Sequence, residues 1–299
     1  MAIVLDGIVF GLQLAILGVG VSLVFGLSGV LDLSYGAKIV VAAVLGSELL
    51  GTGGARWWVL PSVVLAATLL ALAVDRTVLA SAYRRSGEAR VVLSLLVTLA
   101  VAFVLDGIVV SVRPHAALSL TIAGAPVDVL GVTMRRGSLV AAGVALAALA
   151  VAFLLLHATR LGRAVRCVIQ DDEGAQLCGV EPGQVRTIVV VVSGALAGIV
   201  ATTQALASSV GAAAGFDLTI LAVVVAVVGG LGRVSGAAVA GVLLGVVHAF
   251  ATAVLGASAT WVVLLLAAAV TILLRPEGVL GAVGWHRPTP ERADIEVEA

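Results

Sequence analysis

The stretch Thr159–Arg186, TRLGRAVRCVIQDDEGAQLCGVEPGQVR, is the longest hydrophilic interruption in an otherwise apolar chain. It opens on Arg160, Arg163 and Arg166, whose spacing puts them on one side of a helix, while Leu161, Ala164, Val165 and Val168 face the other way. The acidic triplet Asp171-Asp172-Glu173 follows; Asp is a good N-cap, and carboxylates suit the positive end of a helix. Gly174 to Cys178 leave room for one to two turns before Gly179, a residue suited to the left-handed position after a helix. Pro182 fits the first turn of a new helix, where its missing N–H costs nothing. The stretch therefore reads as a helix end, a short capped helix, a turn and a new helix.

Its surroundings explain why so polar a segment stands out. Of 299 residues, 61% are hydrophobic and 11% charged, and the mean hydropathy is +1.22. Soluble domains are about 45–50% apolar and about 25% charged, so the chain reads as a polytopic helical membrane protein. Its net charge of zero gives no reason to expect nucleic acid. The N-terminus has no basic region, and the apolar run from Ile8 to Leu27 is too long for a signal peptide core, so it reads as a retained helix. Cys167 and Cys178 match no zinc spacing, and the histidines at 115, 157, 248 and 286 are scattered, so no metal site or cofactor is expected. The sole lysine, Lys38, does not follow the glycine frame of a phosphate-binding loop. If ATP drives this protein, a separate subunit must hydrolyse it.

A spanning helix needs roughly 20 apolar residues. Spans are expected at about 5–27, 37–50, 57–74, 91–112, 138–158, 187–206, 218–228, 238–254 and 260–274; the seventh is short enough to be re-entrant, which leaves eight or nine. Between the first two lies the break Ser28–Ala37, and between the seventh and eighth the glycine-rich passage Gly229–Ala237. The polar loop Pro114–Gly137, alternating around Thr121–Val129, could hold a small hairpin. Gly241 and Gly245 have the small-residue spacing of close helix packing in lipid.

Placing the polar stretch in the cytoplasm and alternating puts thirteen of the seventeen basic residues inside; only Arg56, Arg113, Arg135 and Arg136 remain outside. Lysine and arginine favour the cytoplasmic side, so the N-terminus is expected outside and the C-terminus inside. Ionisable residues within spans are functional candidates. Glu48 and Asp106 read as the deepest, with Asp32 and Lys38 flanking the first break.

Three motifs resemble a known family. Glu173-Gly174-Ala175-x-x-x-Gly179 resembles the E-A-A-x-x-x-G loop of bacterial ABC importer permeases, with Gly174 for the first Ala. In those permeases the loop is the coupling helix that docks on the ATPase. Arg160-Leu161-Gly162-Arg163-Ala164 and Gly179-Val180 are similar to one branch, which holds the branched-chain amino acid and ribose-type sugar permeases. Gly29-Val30-Leu31-Asp32-Leu33-Ser34-Tyr35-Gly36 resembles the G-I-D-L-S-x-G segment of the sugar permeases and the G-x-x-N-F-A-H-G segment of the amino-acid permeases; Tyr35 stands where the latter carry His, and Asp32 follows the sugar pattern. Gly229-Gly230-Leu231-Gly232 through Ala237 resembles their G-G-x-G-x-x-x-G-A passage, and Arg275-Pro276-Glu277-Gly278 their closing segment.

The chain is thereby identified as a member of the LivH-type permeases of ABC importers for branched-chain amino acids. The resemblance implies an all-α transmembrane bundle of the ABC importer permease fold over residues 1–283, with a coupling loop at 159–186; residues 284–299 read as a disordered cytoplasmic tail. It implies a bacterial inner-membrane protein, not itself an enzyme. Its implied partners are a second permease subunit in a heterodimer, two cytoplasmic ATPases and an extracellular substrate-binding protein. Arg163, Asp171, Asp172, Glu173, Gly174, Ala175 and Gly179 become the expected ATPase-coupling residues. Gly29, Asp32, Ser34, Tyr35, Gly36, Glu48, Asp106, Gly229, Gly230 and Gly232 become candidates for the translocation path. Sugar, urea or a short amide stays open as the cargo. From another class, an ion-coupled secondary transporter would use Glu48 or Asp106 as its ion site.

Overall fold

The computed structural model describes residues 2–51, 56–83, 85, 87–120, 122, 127–129, 132–275 and 278. The expected tail at 284–299, and Pro276 and Glu277 of the closing segment, lie outside them. The helices are α1 (Ala2–Ser28), α2 (Tyr35–Gly51), α3 (Arg56–Val74), α4 (Ala80–Tyr83), α5 (Glu88–Val112), α6 (Arg136–Ala158), α7 (Arg160–Gln170), α8 (Asp172–Leu177), α9 (Pro182–Ala207), α10 (Gly215–Gly229), α11 (Val234–Leu255) and α12 (Ala257–Leu274). Among the described residues six helical stretches are long and apolar enough to cross a membrane: α1, α3 continued through α4, α5, α6, α9 and α11. The shorter apolar α10 and α12, with α2, bring the segments to the upper count expected.

Small residues decide which helices touch. With no hydrophobic drive between helices in lipid, close backbone approach supplies the packing. A Cβ on Gly245 would collide with Gly11, and one on Gly241 with Ala15, so α1 and α11 run antiparallel in near-backbone contact. In the same way Gly194 of α9 lies on Thr68 and Ala71, and Gly198 on Val64, of α3. The second seam has the same small-x-x-x-small spacing but was not singled out in the sequence. The main core includes Leu14, Leu17, Ile39, Val40, Val63, Leu196, Val200 and Val225, drawn from five helices.

Two expectations need correction. The third span does not end at Val74: it passes through a π turn, Asp75–Leu79, into α4. No breaker lies between Val74 and Tyr83, and Asp75 is buried with the Tyr83 hydroxyl donating to it, so it need not surface. The arginine run is not the tail of the preceding span either. Thr159 caps a separate helix, α7, by accepting from the Gly162 amide at 3.4 Å. The loop Pro114–Gly137 holds a strand pair, Val127–Val129 (β2) against Val132–Met134 (β3); residues 121, 123–126, 130 and 131 lie outside the described ones. A further pair, Ala117–Leu118 (β1) with Val210–Gly211 (β4), ties together the two loops that precede α6 and α10.

Candidate functional site

The polar stretch folds as its residue types dictate. Asp171 accepts from the Glu173 amide at 3.0 Å and caps α8, whose first turn carries Asp172 and Glu173. Gly174 nestles against the capping carboxylate, where a Cβ would lie 2.5 Å from Asp171 Oδ2. At the other end Val180 N–H donates to the Ala175 carbonyl at 2.9 Å and Gly179 N–H to Gln176 at 3.0 Å. Gly179 takes φ +78°, a conformation that a β-branched residue strongly disfavours. Ala175 is fully buried, while Leu177, two residues on, is 91% exposed. The short helix is thus anchored on one face and presents an apolar tip on the other.

What Ala175 is anchored to matters more. It joins Val165 and Val168 of α7, Val185 and Val189 of α9, and Leu23 and Val24 of α1 in one apolar cluster. Arg163 is exposed on α7, whereas Arg166 turns back to donate to the Leu156 carbonyl at 2.7 Å, closing the end of α6.

The first break abuts the same end of α1. Gly29 ends that helix at φ +63°, its amide donating to Phe25 at 2.8 Å. The chain then runs extended beside α5. Arg90 donates to the Ser28 carbonyl, the Leu31 amide to Ser94 Oγ at 3.3 Å, and the Leu33 amide to Thr98 Oγ1 at 3.0 Å. Irregular backbone at membrane depth needs such partners. Sequence reasoning missed Ser94 and Thr98, although hydroxyls at i, i+4 in an apolar span were the available signal. Asp32 forms a buried ion pair with Lys38 and accepts from the Ser34 amide at 2.9 Å and the Ser34 hydroxyl at 2.6 Å. Tyr35 donates to the Ser193 carbonyl at 3.1 Å, and Ser193 to Gly20 at 2.9 Å, so the hydroxyl is spent on packing α2 to α9 and α1.

Gly36 is helical, so close approach rather than a positive φ demands glycine there. Its amide donates to Thr219 Oγ1 at 3.0 Å, and a Cβ would strike the Gly215 carbonyl oxygen. Gly36→Ala is expected to lower stability by about 1–3 kcal/mol through overpacking of α2 on α10, read as a lower melting temperature in detergent. Gly107→Ala, where a Cβ meets nothing within 4 Å, is the control and should melt as the native chain. Equal melting of both variants would show that α2 and α10 are not in this contact.

The glycine-rich passage closes on the same place from the opposite side. Gly230 and Gly232 take φ +91° and +81°. Gly229 packs against Gly236 and Ala237, and the Gly232 amide donates to Ser22 Oγ of α1 at 3.1 Å. The three motifs, far apart in sequence, therefore converge on the last turns of α1.

The remaining acids do not join them. Glu48, expected deep, is half-exposed and pairs with Arg113 at 3.1 Å near the far end of α2. Asp106 lies against Gly215 beside the Phe103–Phe216 stack, and its Oδ1 is buried without a hydrogen-bond partner among the described residues. A cluster the sequence did not reveal sits beside the polar stretch: Arg186, one turn into α9, lies 4.0 Å over the Tyr83 ring, and Tyr83 donates to Asp75 in the π turn.

Residues 3–274 match the family described as the permease component of branched-chain amino acid transport systems. The chain belongs to this family. The permease is 34% identical over 129 residues to the BraD permease of Pseudomonas aeruginosa, a match covering 43% of this chain and 42% of that protein. It is 22% identical to the LivH permease of Salmonella typhimurium over 92% of this chain and 94% of that protein. It is 30% identical to a LivH permease of Methanocaldococcus jannaschii, over 45% of each. Among solved structures, PsaBC from Streptococcus pneumoniae in complex with Fab covers 90% of this chain and 89% of that one, at 14% identity and a TM-score of 0.49. The permease is a multi-pass membrane protein with the architecture of an ABC importer permease.

Proposed function

We propose that the permease is the membrane subunit through which an ATP-driven importer moves branched-chain amino acids delivered by an extracellular binding protein, in the inner membrane of a bacterium. It pairs with a second permease subunit, and two cytoplasmic ATPases drive it. The observation that carries this reading is α8: a capped helix with Ala175 buried and Leu177 exposed suits a knob seated in a partner. Force applied to α8 reaches α1 and α9 through the cluster around Ala175. The break and the glycine-rich passage lie at the end of α1, so rigid-body rocking of these helices would open the path to alternate sides. Asp106 fits a path-facing residue, because a partly buried carboxylate within a span avoids lipid. The charge asymmetry supports N-terminus out and C-terminus in.

The buried pairings also bear on the cargo. Asp32 and Tyr35, the positions that depart from the amino-acid pattern, are occupied by Lys38, Ser34 and Ser193 rather than left for a sugar. The test is uptake of radiolabelled leucine into proteoliposomes holding the permease and its co-purified subunits, with ATP inside and the binding protein outside. Uptake should require both, resist ionophores, and be competed by valine but not by ribose or urea. Uptake driven by a proton or sodium gradient without ATP would overturn the proposal in favour of a secondary transporter.

A further inference from the structure

The permease carries a second feature, on the exposed face of the π turn, α4 and α5. Arg76, Thr77, Ala80 and Ser81, from the π turn and α4, face Arg85 and Leu93 across a cavity of about 750 Å³. Both arginines are exposed, and among the described residues neither guanidinium has a hydrogen-bond or ion-pair partner. The Thr77 and Ser81 hydroxyls already donate to their own helix, to Ala73 at 2.6 Å and Val78 at 2.8 Å. The charge of the cavity is therefore set by the two guanidiniums.

The walls above it are apolar and open. Along α3, Leu65, Leu69 and Ala73 repeat at helical spacing from Arg76, all exposed; along α5, Leu96 and Ala100 continue the row of Leu93, also exposed. Between them, α2 contributes Leu45, Leu49 and Glu48, the last paired with Arg113, which with Ala66 and Ser62 of α3 line a further depression of about 340 Å³. From Arg76 to Ala66 the helix rises about 15 Å, half of the roughly 30 Å hydrocarbon core. Arg76 itself lies within a helix apolar enough to span the membrane.

We propose that this groove binds an anionic phospholipid of the leaflet on the coupling-stretch side, its phosphate on Arg76 and Arg85 and its acyl chains along α3 and α5. A soluble protein partner would not reach the apolar walls, and a zwitterionic lipid would leave the paired positive charge uncompensated. Basic pockets between membrane helices suit anionic headgroups.

The experiment is native mass spectrometry and thermal shift on the full-length chain in mixed micelles. Phosphatidylglycerol should bind and raise the melting temperature, phosphatidylcholine should not, and glycerol 3-phosphate should neither bind nor compete. In the double variant Arg76→Gln/Arg85→Gln, phosphatidylglycerol should bind about thirtyfold more weakly, the loss expected for two arginines near an anionic headgroup. Thr77→Val and the distant Arg135→Gln should bind as the native chain does. Equal binding of the two phospholipids by the native chain would overturn the proposal, and needs no variant to be seen. So would tight binding of glycerol 3-phosphate alone, which would make this a soluble-phosphate site, or unchanged phosphatidylglycerol binding in the double variant. Loss of phosphatidylglycerol binding when the chain is assembled with its second permease subunit would equally overturn it, the groove then being a subunit interface.

Discussion

Replacing Gly179 by valine is expected to abolish transport while the chain still inserts into the membrane at normal levels. The residue sits at φ +78°, where its amide and that of Val180 close the end of α8 on Gln176 and Ala175. A Cβ there would meet nothing within 4 Å, so the defect is conformational and not a clash. A non-glycine residue in the left-handed region costs about 1–2 kcal/mol, and β-branching makes it worse. Relief comes by unwinding the last turn, which displaces the exposed Leu177 and withdraws Ala175 from the cluster with Leu23 and Val24. No spanning residue changes. Asparagine tolerates this conformation, so Gly179→Asn should retain most transport and co-purify with the ATPase, while Gly179→Val does neither. If valine supports native transport and ATPase binding, α8 is only a solvated loop and the proposed coupling falls.

Asp32→Asn should destabilise the permease by about 3–5 kcal/mol, the usual loss when one partner of a buried ion pair is removed. Asp32 and Lys38 are 6% and 3% exposed, so asparagine would leave the ammonium buried without its counter-charge. The Ser34 hydrogen bonds can persist on the amide oxygen, which isolates the charge as the cause. The double variant Asp32→Asn/Lys38→Met removes both charges and should regain most of the loss. Melting in detergent, followed by size-exclusion profile, reads the stability. Transport by the refolded double variant then separates two roles. A stable, active double variant makes the pair structural, and a stable, inactive one makes it part of the path. A single variant as stable as the native chain would show that Asp32 does not carry a buried charge.

The features of α8 were legible because they are local. An N-cap, a short run and a glycine in the left-handed region lie within a few residues of one another, and backbone sterics and capping hydrogen bonds act at that range. The spans were legible because the bilayer imposes a length and a composition on each. Hydropathy could not show where the third span ends. Asp75 looks like a surface charge until Tyr83 is seen beneath it, and that contact depends on a π turn. Glu48 reads as deep for the same reason: its place in an apolar run says nothing of Arg113, which follows the end of α5.

What the sequence by itself determined is the class of protein, its family, the short helix α8 with its cap and its left-handed glycine, and the apolar segments long enough to cross the membrane. Only the tertiary structure decided that the three motifs meet at the end of α1, that Asp32 and Tyr35 are occupied, and that Arg76 and Arg85 share a groove. The physical reason is range. Capping, sterics and transfer to lipid act on neighbouring residues, whereas ion pairs and glycine seams depend on which helix faces meet. Those faces are selected by contacts such as Gly11 on Gly245, between residues at opposite ends of the chain.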